Sequence, residues 1–306
     1  MKRALLPIVI LLIVIGAIVA LSLPKRADIV VGSKHFTEQK ILGQMIAQLI
    51  EAKTDLKVRR RLGLQGTKVC FGAIQEGDLD IYPEYTGTGL VNILGLDYDP
   101  SQSRQDVLDK VRSEFAQRWS LVWLPPLGFD NTFAFAMREE DAERLGITKI
   151  SDLAKYKDTL RPGFDHEYTT RPEYKRFGEV YGFTFGKKIT RLDPDLTYEA
   201  IKEGLVDLID AFSTDGRIAA YNLRVLEDDK HLFPPYDACI LIRQETLDKY
   251  PDLKGVLNHL SGAITPEKMQ AMNYAVSSGS RSPAAVAREF LASRKLIPSH
   301  ASRAED

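Results

Sequence analysis

Apolar residues fall into short extended runs separated by stretches with helical spacing, in regular alternation along the chain. Residues 28–33 (Asp-Ile-Val-Val-Gly-Ser) read as a buried strand. Ile41, Met45, Ile46 and Leu49 then share one face of a helix that opens at Thr37 and runs to about Ala52. Residues 56–62 predict a second strand, and Gln65-Gly66-Thr67 start the next helix with Thr67 as its N-cap. That helix ends near Glu76, with Gly77 in the left-handed closing position. Leu79 and Ile81 alternate with Asp80 and Tyr82 as in a short strand. Pro83 and Thr86-Gly87-Thr88-Gly89 end it in a turn with exposed backbone N–H groups.

The rest of the chain continues the alternation. Residues 102–118 form a polar amphipathic helix and 121–124 a strand, broken by Pro125-Pro126-Leu127-Gly128. The aromatic strand 129–136 reads as a first crossing between two lobes. Helices follow at 139–145, after Ile150 and at 174–181, around a polar loop at 160–175. Residues 225–230 are a strand and turn, Phe233-Pro234-Pro235-Tyr236 is stiff, and 238–243 is the return crossing. Helices at 244–249, 251–261, 265–274 and 283–292 close the chain. Strands alternating with helices predict an α/β architecture.

One stretch recurs. Ala200-Ile201-Lys202-Glu203-Gly204 repeats Ala73-Ile74-Gln75-Glu76-Gly77. At the same offset Asp207 falls on Asp80, Phe212 on Tyr85 and Ser213 on Thr86. The pattern predicts two similar lobes, each offering an aromatic, hydroxyl-bearing loop at a strand's carboxyl end, where open α/β sheets bind ligands.

Composition narrows the class. Hydrophobic residues make up 44% and charged residues 27% of 306 positions, which suits one large or two ordinary domains. A net charge of −1 argues against a nucleic-acid partner. Cys70 and Cys239 have no metal spacing and read as two buried thiols, with a disulfide open to them if the chain is exported. The histidines, at 35, 166, 231, 259 and 300, form no metal spacing, and neither a nucleophile elbow nor a phosphate loop occurs. No cofactor is expected. Lys2 and Arg3 precede an uncharged stretch, 4–23, whose length as a helix is about 30 Å, enough to span a bilayer. Ala20-Leu21-Ser22 offers a small-x-small cleavage site. Residues 1–24 therefore read as a cleaved signal peptide or a retained anchor in the inner membrane.

Four motifs carry a resemblance. Val31-Gly32-Ser33-Lys34-His35-Phe36-Thr37-Glu38-Gln39, Asp80-Ile81-Tyr82-Pro83-Glu84-Tyr85-Thr86-Gly87-Thr88, Asp210-Ala211-Phe212-Ser213-Thr214-Asp215-Gly216 and Phe233-Pro234-Pro235-Tyr236 occur in this order. From about residue 28 to 295 the chain resembles the glycine betaine/carnitine/choline-binding proteins of osmoprotectant ABC importers. The resemblance implies a two-lobed type II solute-binding fold with two crossing strands. Lobe 1 would comprise 28–129 and 237–306, and lobe 2 residues 130–236. It also implies a permease and an ATPase as partners, and a periplasmic or other extracytoplasmic location. In that family a cage of four aromatics holds a quaternary ammonium, and the matching positions are Tyr85, Phe133, Phe212 and Tyr236. Basic and hydroxyl groups that match Lys34, Thr88 and Arg171 would hold a ligand carboxylate. Phe133 and Phe212 stand where the family usually has tyrosine.

The chemistry is consistent with that set. A trimethylammonium has no N–H to donate, so ring faces rather than hydrogen bonds must recognise it. A carboxylate needs the opposite, a guanidinium fork, a point charge and a hydroxyl. Two other readings remain beside an importer's binding protein: a tethered sensor on the same fold, and an enzyme acting on a small cationic metabolite.

Overall fold

The computed structural model describes residues 27–186 and 188–298. The N-terminal apolar segment lies outside the described residues. Among those described, no helix is long and apolar enough to cross a membrane.

The chain forms two five-stranded sheets. The strands are β1 (Ile29–Lys34), β2 (Val58–Leu64), β3 (Ile81–Tyr85), β4 (Leu121–Trp123), β5 (Phe133–Arg138), β6 (Pro162–Asp165), β7 (Thr190–Leu192), β8 (Leu208–Phe212), β9 (Leu223–Leu226) and β10 (Ala238–Arg243). The first sheet has the order β2-β1-β3-β10-β4 and the second β7-β6-β8-β5-β9. In each, three strands run parallel and the next two alternate antiparallel to their neighbours. Every residue of β1 and of β3 is buried, because both sheet faces are covered. The helices used below are α1 (Thr37–Lys53), α2 (Gly66–Gln75), α3 (Arg104–Trp119), α4 (Pro172–Tyr181), α5 (Pro194–Lys202), α6 (Pro266–Ser277) and α7 (Pro283–Ser293).

The internal repeat has a structural counterpart. Gly77 and Gly204 both have positive φ, 80° and 68°, where a Cβ is strained. Asp78 N–H returns to Ala73 O at 2.8 Å, and Leu205 N–H to Ala200 O at 2.9 Å. Asp80 then accepts from Val30 N–H (2.7 Å) and Asp207 from Arg161 N–H (2.9 Å). Each aspartate thus pins the neighbouring parallel strand to the end of the repeated unit. β3 and β8 hold the central position of their sheets.

Several local expectations change. The strands expected as crossings lie within the sheets: β5 begins only at Phe133, paired with Phe212, and β10 belongs wholly to the first sheet. The chain passes between sheets just before them, at 124–132 and 227–237. These passes touch at an isolated antiparallel bridge, Asp130 with Asp237, and Arg104 on α3 reaches both carboxylates at 2.5 and 2.7 Å. The loop expected at 160–175 contains β6, a 3-10 turn (Tyr168–Thr170) and the start of α4. β6 is four residues long and buried on both faces, so it has no alternation to detect. Thr67 does not cap α2. The helix starts at Gly66, and the Thr67 hydroxyl donates to Glu167 at 2.8 Å.

The run Thr86–Gly89 is not an exposed turn. It is buried and leads into a wide helical turn, Thr88–Ile93. A Cβ on Gly87 would stand 2.8 Å from both Pro235 O and the Tyr236 ring, and one on Gly89 would stand 2.8 Å from the Trp123 ring. The glycines are there for packing. Cys70 and Cys239 are buried free thiols, and burial pushes the Cys70 thiol up to about 12.

Candidate functional site

The carboxyl ends of β1, β3, β6 and β8 carry Lys34, Tyr85, Asp165 and Phe212, and all four line one cavity between the sheets. All seven residues picked from the sequence meet there: Lys34, Tyr85, Thr88, Phe133, Arg171, Phe212 and Tyr236. The cavity is tight. The centre of a water molecule ranges over about 20 Å³ of it, little more than one water needs.

The aromatic wall is continuous and holds a ring that the sequence reading missed. Phe36 stacks between Tyr85 (centroids 6.3 Å apart, planes 22° apart) and Phe212 (5.5 Å, 5°). Phe133 follows at 4.9 Å from Phe212, and Tyr236 stands edge-on to Phe133 at 5.7 Å. Phe36 lies in the first motif. Its signal was position, an aromatic between a strand's carboxyl end and a helix start.

The protein's own cations already lie on these faces. The Arg171 guanidinium is 4.7 Å from the Phe133 centroid and 5.4 Å from that of Tyr236. It donates to the Tyr236 hydroxyl at 2.8 Å and to Glu173 at 3.0 Å, with Glu167 at 3.5 Å. Burial works against its charge, but Tyr236, Glu173 and Glu167 outweigh burial and hold the guanidinium above its ordinary range. Lys34 pairs with Glu84 at 2.6 Å, both buried, and its Nζ lies 5.4 Å from the Tyr85 centroid.

Three further carboxyl groups flank the wall, Glu38 on one side and the pair Asp165 and Asp210 on the other. Glu38 is buried in α1 and accepts from Tyr85 Oη (2.6 Å), Asn131 (2.8 Å), Thr214 (2.5 Å) and Asn273 (3.1 Å). Burial pushes its carboxyl up, and the four donors pull it back. Asp165 faces Asp210, whose Oδ1 accepts the Asp165 N–H at 2.7 Å while Oδ2 has no partner. Burial raises Asp165 to about 6 and holds Asp210 well above its ordinary value.

The two sheets also meet around the cavity's rim. Thr67 reaches Glu167, and Gln270 on α6 donates to Ser213 O at 3.0 Å. The described conformation is therefore closed. Among the described residues no cluster of three metal-binding side chains occurs.

Residues 27–293 match the family model described as the substrate-binding domain of an ABC-type glycine betaine transport system. The chain belongs to this family. The carnitine transport binding protein OpuCC of Listeria monocytogenes is 38% identical over 264 residues, covering 85% of each chain. The ergothioneine transport permease/binding protein EgtU of Helicobacter pylori is 34% identical over 269 residues, covering 87% of this chain and 48% of that one. A crystal structure of a glycine betaine/carnitine/choline ABC transporter superposes with a TM-score of 0.72 at 33% identity, covering 88% of this chain and 99% of that one. This substrate-binding domain thus serves ABC transport. Its family consists of transport binding proteins rather than enzymes, and such proteins work outside the cytoplasm.

Proposed function

We propose that this protein captures a quaternary-ammonium osmolyte of the glycine betaine or choline type in the cavity between its lobes and delivers it to the permease of an ABC importer. The observation that carries this is the unbroken wall of five rings at the closed cleft. The family, the two relatives and the structural neighbour are named for glycine betaine, carnitine, choline and ergothioneine. Those four ligands share one group, a trimethylammonium, which only ring faces can grip.

In this reading Tyr85, Phe133, Phe212 and Tyr236, with Phe36, enclose the ammonium, and Lys34, Thr88 and Arg171 meet the ligand's polar end. Residues 28–129 and 237–306 move as one lobe and 130–236 as the other. Residues 1–24 direct the chain across the inner membrane and either leave it or hold it there. Calorimetric titration with glycine betaine, choline and proline tests the assignment. Binding of either trimethylammonium compound but not of proline is expected, and silence with both would end the quaternary-ammonium reading.

A further inference from the structure

The cleft is closed along one edge by contacts that involve no ligand. Three side chains packed with the first sheet grip residues 213 and 214, which follow β8 of the second. Gln270 donates to Ser213 O at 3.0 Å, and Asn273 donates to Thr214 O at 2.9 Å. Glu38 accepts from the Thr214 hydroxyl at 2.5 Å. Two residues earlier on each segment, Phe36 lies flat on Phe212 at 5.5 Å. Segment 36–38 therefore docks onto segment 212–214, ring on ring and carboxylate on hydroxyl.

The carboxylate is the unusual member. It is 3% exposed and has no cationic partner within ion-pair distance among the described residues. Such a group is tolerated in a protein interior only when hydrogen bonds stand in for water. Tyr85 and Asn273 belong to the same body as Glu38. Asn131 sits beside the hinge at the start of the second lobe, whereas Thr214 follows β8 and is carried away when the second sheet rotates.

We propose that Glu38 is a positioning residue that links closure to the ring wall. One of its oxygens holds the Tyr85 hydroxyl and so fixes a ring that faces the cavity. The other oxygen is fully satisfied only when the second lobe arrives with Thr214. The ring is thus held best in the state in which the ligand is enclosed, and the latch slows ligand escape rather than ligand entry. This rests on the cavity being the ligand site, as proposed above.

The test is Thr214→Val, which keeps the shape and removes the donor, with Thr214→Ser as the conservative control. Spin labels placed by Glu51→Cys and Glu203→Cys, exposed positions on the two bodies, report lobe separation by pulsed electron resonance. Cys70 and Cys239 are buried and do not compete for the label. Choline and glycine betaine are the ligand probes. Thr214→Val should broaden the distance distribution towards open forms and speed dissociation about tenfold, the weight of one hydrogen bond to a charged group. Association should change less than about threefold, and Thr214→Ser should behave as wild type. The effect should largely vanish in a Glu38→Met background, which has no oxygen left to accept from residue 214.

Distance distributions and dissociation rates unchanged by Thr214→Val would overturn the latch. So would a Thr214→Val effect that is undiminished in Glu38→Met. If the wild type binds neither probe, the quaternary-ammonium reading fails on its own, and the distance distributions without ligand still decide the latch.

Discussion

Arg171 lies across the face of Phe133, its guanidinium carbon 4.7 Å from the ring centre, and is held there by Glu173 at 3.0 Å. Both side chains are buried, at 1% and 3% exposure. Removing one partner of such a pair leaves the other charge stranded, which costs about 3–5 kcal/mol. Arg171→Gln should therefore lower the stability read by urea melts as well as ligand affinity. Arg171→Gln combined with Glu173→Gln should recover part of the stability.

The ring wall makes a prediction independent of charge. Tyr236 loses a cavity face on truncation, and a desolvated cation–π face is worth on the order of 1–2 kcal/mol. Tyr236→Ala should weaken binding about tenfold or more in calorimetry. Phe133→Tyr keeps the face and should be tolerated. Unchanged affinity in Tyr236→Ala would remove that residue from the site.

Much of this site was legible because its residues come in motifs at strand ends. The repeat of residues 73–77 at 200–204 located β3 and β8, and with them Tyr85 and Phe212. What stayed hidden depended on contacts across the chain. Lys34 and Glu84 pair because β1 and β3 are parallel neighbours, a relation that sequence spacing does not display. Phe36 and Glu38 stood inside a recognised motif, yet their contacts with segment 212–214 arise only where the folded chain brings the two segments together. The loop misread at 160–175 is the opposite case: a strand too short and too buried to carry a period.

Asp165 and Asp210 predict an unusual pH response. Asp165 titrates near 6 and Asp210 well above 3.8, the ordinary value for the unfolded chain. Between those limits the folded chain holds more protons than the unfolded one, so this pair's contribution to stability falls as pH rises through about 6. Acidifying from about pH 7.5 to 5.5 should raise the melting temperature, a direction set by that linkage. Asp210→Asn should remove most of the rise. A melting temperature that falls over this interval in the wild type, and falls equally in Asp210→Asn, would contradict the assignment.

Gly216 offers a steric test of closure. A Cβ there would stand 2.5 Å from Tyr274 Cβ and 2.7 Å from Gln270 O, both on α6. Its φ of −67° is ordinary, so the substitution strains no backbone. Gly216→Val should prop the cleft open, lowering affinity at least about tenfold by titration while the melting temperature of the ligand-free chain stays close to wild type.

The two passes between the sheets have a mechanical meaning. They lie side by side at Asp130 and Asp237, and Arg104 bridges both. A ribbon two chains wide bends readily across its width and resists sliding along its length. The molecule is thus closer to a leaf hinge than to a pair of beads on a string.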